Sequence, residues 1–241
     1  TPKADFTLGA NEICEGGLLK VADLQSAYSD LSATAKYNWS WGDGRSHQGK
    51  FALKSATTYD TNILYSVFGN YTLKLKTITS ILGCGDSMWK TVSVYSVPKV
   101  KVSVNQLAFC ANMQTAIFAN QSTNADGKSL QHNWVFGDGG LSTALSPSHL
   151  YKIAGKFIVK YRTINPFVSG GGCSDSTSLP AITVLPEVDA SFIYSKNASE
   201  KNRESYLFEA LDNKLIPMDR TFKWDFGMGD TSTKGDRITH V

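Results

Sequence analysis

Apolar and polar positions alternate with a period of two along most of this chain. Tyr71, Leu73 and Leu75 are interleaved with Thr72, Lys74 and Lys76. Phe157, Val159 and Tyr161 follow the same rhythm, with Lys156, Ile158 and Lys160 between and before them. This is the pattern of half-buried β-strands, whose successive side chains point to opposite faces. Shorter alternating segments, Ala4-Asp5-Phe6, Val100-Lys101-Val102 and Ala190-Ser191-Phe192, predict opening strands. Val92 with Val94 and Ile182 with Val184 predict closing strands. Lys20 to Lys36, rich in Ala, Leu and Ser, is the one helix-permissive stretch. It reads as a strand followed by a short helical turn or loop.

The strands belong to a repeat. Trp39-Ser40-Trp41-Gly42-Asp43-Gly44 recurs as Trp134-Val135-Phe136-Gly137-Asp138-Gly139, and again as Trp224-Asp225-Phe226-Gly227-Met228-Gly229-Asp230, at steps of 95 and 90 residues. Downstream, Tyr65, Gly69 and Tyr71 match Tyr151, Gly155 and Phe157, and Gly83-Cys84-Gly85-Asp86-Ser87 matches Gly172-Cys173-Ser174-Asp175-Ser176. A step of this size is a whole sandwich domain, too long for a solenoid repeat. The prediction is all-β: tandem immunoglobulin-like β-sandwiches over residues 1–97, 98–185 and 186–241, the third incomplete. Repeat three runs out at Thr239-His240-Val241, short of its last strands, so a longer parent polypeptide is expected. Tyr95-Ser96-Val97-Pro98 and Leu185-Pro186-Glu187 form the connectors, each stiffened by a proline, which predicts semi-rigid beads in a row.

The motif has a physical logic. Trp39 and Trp41 are two apart and so share a strand face, where each would cost about 3–5 kcal/mol if cut to alanine. Gly-Asp-Gly turns the chain, because glycine permits positive φ and the Asp side chain can bond local N–H groups. In repeat three Met228 lacks that ability, and Asp230 is expected to supply it.

The Trp-x-Phe-Gly-Asp-Gly signature, a later His-x-Tyr and a Gly-x-Tyr/Phe-x-Val resemble the PKD (polycystic kidney disease) domain family. Trp134 to Gly139 with His149, Tyr151, Gly155 and Phe157 is the full match. Repeat one has Trp41 in place of Phe and Ile63 in place of His, and repeat three has Met228 in place of Asp. The cysteine placement is similar to PKD arrays on large surface and secreted proteins of Bacteroidota. The resemblance implies contexts such as gliding-motility adhesins, substrates of type IX secretion, and spacers in secreted proteases and glycanases.

Composition narrows the function. Of 241 residues, 41% are hydrophobic, enough for real cores, and 19% are charged, too few for a disordered polyelectrolyte. A net charge of +3 lacks the strong basic field of most nucleic-acid binders. No run of 18 apolar residues is present, so no helical membrane span is predicted.

Sites of chemistry are sparse. His47, His132, His149 and His240 stand apart, without metal spacing or a nucleophile motif. His149 reads as a framework residue bonding a neighbouring loop. Asp43, Asp138 and Asp230 could suggest calcium loops, but one or two local oxygens fall short of the six to eight that calcium takes. The Gly170-Gly171-Gly172 run precedes no helix and is no phosphate cradle. No catalytic residue, metal site or cofactor is assigned. Asn38, Asn70, Asn120 and Asn197 are sequons, and Asp86-Ser87-Met88 and Asp175-Ser176-Thr177 resemble an O-glycosylation pattern of Bacteroidota. The candidate binding loop lies in repeat one, where Gly44 to Tyr65 is 21 steps against 12 in repeat two. Arg45, Lys50, Phe51 and Tyr59 could meet a glycan or protein surface there, or the segment is a longer hairpin packed on its sheet.

Cys14, Cys84, Cys110 and Cys173 form no Cys-x-x-Cys, so disulfides are favoured over zinc. Their repeat-relative places select Cys14–Cys84 and Cys110–Cys173. First and last strands of a sandwich can approach, and each closure would stabilise by about 4 kcal/mol on the chain-entropy model. Such bonds place the chain in an oxidising, extracellular compartment. The expected function is a non-catalytic adhesin stalk or interaction scaffold with a protein or glycan partner at the cell surface. The alternatives are an accessory region of a secreted hydrolase and a structural component of an outer-membrane secretion or motility apparatus.

Overall fold

The structure is a computed structural model and describes residues 3–22, 35–50, 60–79, 83–187, 190–196, 205–211, 222–227, 229–233, 235 and 237–240. All the regular structure in it is β. Module one contains β1 (Thr7–Leu8), β2 (Glu12–Cys14), β3 (Leu18–Ala22), β4 (Ala35–Ser40), β5 (Ser46–Lys50), β6 (Asp60–Leu64), β7 (Gly69–Thr79) and β8 (Gly85–Tyr95). One sheet has the order β1-β3-β6, and the other β2-β8-β7-β4-β5. Their inner faces enclose Phe6, Leu19, Val21, Trp39, Trp41, Ile63, Tyr65, Leu73, Leu75, Val92 and Val94. The alternating residues of β7 therefore do face inward, with Leu73 and Leu75 fully buried.

Module two repeats this plan with β9 (Val102–Val104), β10 (Ala108–Cys110), β11 (Thr115–Asn120), β12 (Gln131–Val135), β13 (Leu141–Ser142), β14 (Ser148–Leu150), β15 (Gly155–Phe157), β16 (Lys160–Asn165), β17 (Cys173–Ser178) and β18 (Ile182–Leu185). Its first sheet is β9-β11-β14. Its second is split into β13-β12-β16-β17 and β10-β18-β15. The long β7 and β8 of module one thus each become two strands here. In the closing strand the break contains Pro180, which has no N–H to give to a ladder. A separate core encloses Phe109, Phe118, Trp134, Phe136, Tyr151, Val159, Tyr161, Ile182 and Val184.

In repeat three, β19 (Phe192–Lys196), β20 (Tyr206–Ala210) and β23 (Arg237–His240) form a sheet, and β21 (Trp224–Asp225) pairs with β22 (Thr231–Ser232). Phe208, Trp224 and Phe226 cluster between them, with the Phe208 and Phe226 rings 5.2 Å apart.

The opening strands start later than alternation suggests. Ala4 and Val100 are not laddered. Instead, their N–H groups donate to Asp86 Oδ2 (2.9 Å) and Asp175 Oδ2 (3.1 Å). A side-chain acceptor thus holds each module entrance, and in module two an isolated bridge between Lys99 and Thr123 precedes it. In the helix-permissive stretch, Lys20 to Ala22 is strand, and residues 23–34 lie outside the described residues.

Candidate functional site

Two built features stand out, and the first is the clamp on the Gly-Asp-Gly turn. Gly42 and Gly137 have φ of +84° and +92°, and an added Cβ would meet the Thr72 nitrogen at 2.7 Å and the Ile158 oxygen at 2.9 Å. The turn thus lies directly on the neighbouring strand, and only glycine fits. Asp138 accepts from the Gly140 N–H (2.9 Å) and pairs with His149 Nε2 (2.7 Å), while the imidazole stacks on Phe136 at 4.1 Å. His149 is thus the framework residue the sequence suggests. In module one Ile63 stands at the His149 position and is buried. Arg45 takes over by a local route, donating from Nε to Asp43 (2.7 Å) and from Nη2 to the Leu64 carbonyl (2.6 Å). In repeat three His240 lies 3.4 Å from Asp230 and its ring sits 4.0 Å from Phe226. There the Gly227 N–H is taken by Asp225 (2.9 Å), and the Asp230 N–H donates to the Gly227 carbonyl (2.9 Å).

The turn is closed from below by a tyrosine. Tyr65 donates to the Trp41 carbonyl (2.7 Å) and Tyr151 to the Phe136 carbonyl (3.1 Å). Burial pushes both phenols up to about 12. Burial alone would raise Asp138 as well, but hydrogen bonds from His149 and the Gly140 N–H outweigh it and hold the carboxyl below its ordinary range. Asp43 is lowered in the same way, with Arg45 opposing the effect of burial.

Among the candidate binding residues, Arg45 is therefore engaged with the turn, with its guanidinium 5.9 Å from the Tyr65 ring centre. Lys50 ends β5, and Phe51 and Tyr59 lie outside the described residues. Among the described residues, no group of three His, Cys, Asp or Glu converges as a metal site would require.

The second feature is the junction of modules one and two, which the motif reading missed. Ser96, in the connector, is fully buried. Its N–H donates to Asp126 Oδ2 (3.0 Å), and its carbonyl accepts from Asn165 Nδ2 (3.3 Å), which also donates to Asp126 (2.9 Å). Burial would raise Asp126, but N–H groups of Lys128 and Ser96 and the Asn165 amide outweigh it and lower the carboxyl. Glu15 Oε1 accepts from the Val97 N–H (2.9 Å), and Glu12 Oε2 accepts from the Ser169 hydroxyl (3.0 Å). Tyr95 stacks on Phe167 with ring centres 6.0 Å apart. The triglycine run that precedes Cys173 allows this loop to reach back to module one. Gly170, Gly171 and Gly172 all have positive φ, of +91°, +132° and +70°.

The junction is also covalent, and here the expected disulfides are corrected. Cys14 is bonded to Cys173, with Cα atoms 5.5 Å apart. That excludes both Cys14–Cys84 and Cys110–Cys173. The reason is the direction of the strands. Cys14 on β2 is in parallel register with Tyr95, the last residue of β8, whereas Cys84 immediately precedes Gly85, the first. Eleven residues of strand separate those ends, roughly 33 Å at about 3.3 Å per residue. A disulfide spans only about 5.5–6 Å between Cα atoms. The edge strand and the last strand are neighbours, as expected, but their cysteines sit at opposite ends of the sandwich. Cys14 at the exit of module one therefore meets Cys173 at the entrance of module two.

Paired sheets around separate cores, joined by a buried connector, define a class: tandem immunoglobulin-like β-sandwich modules. Within this class, the PKD domain family model matches residues 96–184. No curated protein sequence matches the chain. Similar solved structures include the PKD1 domain of the Vibrio cholerae metalloprotease PrtV, 24% identical over 36% of this chain and 96% of that one, with a TM-score of 0.29. Others are the fibronectin(III)-like modules of Clostridium thermocellum CbhA (16% identity, 76% and 95% covered, TM-score 0.37) and the titin I-band fragment I67-I69 (8% identity, 99% and 87% covered, TM-score 0.48). No described helix is long and apolar enough to cross a membrane.

Proposed function

We propose that this chain is a non-catalytic, extracellular module array that serves as a stiff stalk or scaffold at the cell surface and presents an adhesive or protein-binding region. The observation that carries the reading is the module junction. A freely jointed tether needs only a solvated linker. This connector instead has a buried serine, three side chains of module two closing on it and a disulfide across it. Such a joint transmits orientation and force from one module to the next. The disulfide further suits an oxidising compartment outside the cytoplasm. The polar groups that might suggest chemistry are engaged in the framework: Asp138 with His149, Asp43 with Arg45, and Asp86 and Asp175 with the module entrances. A partner of protein or glycan character would be met through the segment from Arg45 to Tyr59, where repeat one departs from its template.

The test has two arms. Antibodies raised against the chain should decorate intact source cells, and external protease should remove the epitope; an epitope reached only after lysis overturns the surface location. Spin labels on Thr72 and Arg162 should give a single narrow distance distribution in the oxidised chain. A broad distribution would identify a flexible tether and overturn the stalk.

A further inference from the structure

One sheet face of module one gathers cations around a tryptophan. On β7 the buried Leu73, Leu75 and Thr77 alternate with Thr72, Lys74 and Lys76, which are exposed. Register carries this outer side across the sheet, because residues directly opposite each other share a face. Lys74 is opposite Trp89 of β8 and Ser40 of β4, and Lys76 is opposite Ser87 and Asn38. Lys36 of β4 is opposite Ile78, further along the same side. Among the described residues of this sheet, the carboxylate on this side is Glu12, opposite Ser93. It lies at the exit end and accepts from Ser169.

Trp89 is the departure from an ordinary β surface. The other tryptophans of the module, Trp39 and Trp41, are buried in its core, whereas Trp89 is 63% exposed. Its strand runs about 5 Å from that of Lys74, and Lys76 follows about 7 Å further along β7. Hydroxyls and amides surround them: Thr72 is opposite Thr91, and Asn38 is opposite Gln48 of β5. Module two repeats the cations, with Lys160 opposite Ser178 and Arg162 opposite Ser176. Ser178 thus stands where Trp89 does, so module two has the charge of this face without its indole.

We propose that this face of module one binds an acidic polysaccharide, one whose sugar rings carry carboxylates. The C–H face of a pyranose is flat and apolar. It stacks on an exposed indole, which offers a large, rigid contact area at low entropic cost. Ring carboxylates accept charge-assisted hydrogen bonds from Lys74 and Lys76. The neighbouring hydroxyl and amide side chains exchange hydrogen bonds with the ring hydroxyls. A polymer of such rings presents a carboxylate at each repeat, which suits cations placed in series along one strand. A protein partner calls for a broader apolar centre with its charges at the rim, and here one indole stands among lysines. The face meets the segment from Arg45 to Tyr59 at β5, and the inference does not rest on the stalk reading.

Calorimetric and fluorescence titration of the oxidised chain with oligogalacturonate tests it. Binding should saturate, weaken as salt rises, and shift the tryptophan emission to the blue. Trp89→Ala and the Lys74→Gln/Lys76→Gln pair should each weaken binding about tenfold, and Trp89→Phe should recover most of the affinity. All these side chains point outward, so near-ultraviolet circular dichroism should stay that of the parent. The matching pair in module two, Lys160→Gln/Arg162→Gln, should change the affinity less than about twofold. Absence of saturable binding overturns the proposal, as does a Trp89→Ala variant that binds like the parent. A loss in the module-two pair equal to that in the module-one pair overturns it too, because the charge is then read without the indole. Cello-oligosaccharide bound as tightly would show that the lysines play no part. Poly-glutamate or single-stranded oligo-dT bound as tightly would assign the face to an acidic protein or a nucleic acid, and either result overturns the polysaccharide.

Discussion

The N–H of Ser96 donates to Asp126 Oδ2 at 3.0 Å, tying the connector between two sandwiches to a turn of the second. Asn165 completes the arrangement, reaching both the Ser96 carbonyl and the same carboxylate oxygen. Asp126→Ala removes one acceptor and leaves two donors facing a buried gap. A buried donor left unsatisfied costs about 1–3 kcal/mol. The variant should lose about that much in urea unfolding, and amide exchange at Ser96 should accelerate. Unchanged exchange at Ser96 would show that the contact does not hold the connector.

Reduction of Cys14–Cys173, or the Cys14→Ser/Cys173→Ser double variant, should leave both sandwiches folded, because their cores share no residue. The bond closes a loop with a sequence separation of 159. The chain-entropy model assigns such a loop an upper limit of about 5 kcal/mol when both modules unfold together. The expected outcome is a lower midpoint and less coupled unfolding, seen in calorimetry as two resolved transitions in place of one. Identical oxidised and reduced thermograms would refute it.

Asp43, Asp126 and Asp138 all have carboxyls lowered in the folded chain. Below about pH 4 the unfolded chain therefore binds protons that the folded chain still resists. The stability these groups contribute is full above the unfolded value near 4 and is lost as pH falls through the lowered folded values. Asp138→Asn should be less stable than the parent at pH 7, and the gap should close toward pH 2. Urea midpoints measured across that range check the slope; a gap constant with pH would assign the loss to packing alone.

Tyr65 and Tyr151 behave with the opposite sign. Their folded values of about 12 lie above the unfolded value near 10. The stability they contribute is full below pH 10 and is lost as pH rises through 12. Tyr151→Phe leaves the Phe136 carbonyl without its donor and should cost about 1–3 kcal/mol. It should also remove one late-titrating phenol from the absorbance titration at high pH, where a parent-like curve would contradict the assignment.

Much of the fold was legible because its signals are local. Period-two alternation places Leu73, Leu75, Val159 and Tyr161 inside, and all four are buried. The Gly-Asp-Gly turn was readable because positive φ and a short acceptor are local demands that the sequence states directly. That Arg45 replaces His149 as partner of the turn aspartate was harder to see. The two reach it from different directions, one from the adjacent residues and the other from a strand 11 residues on.

The sequence by itself determined that the chain is a β repeat with apolar interiors, clamped turns and two cysteines in each of its first two units. Alternation, glycine geometry and repeat spacing are properties of neighbouring residues. Only the tertiary structure decided which cysteines meet and which side chains close on the junction. Strand adjacency says that β2 lies beside β8, but not that Cys14 falls at its far end, some 11 residues from Cys84. Likewise the composition of Tyr95 to Pro98 reads as a linker. It becomes a buried joint because Asp126, Asn165 and Phe167, distant in sequence, supply an acceptor, a donor and a ring at that place. Those outcomes depend on where sheet ends fall in space, and no local pattern encodes that.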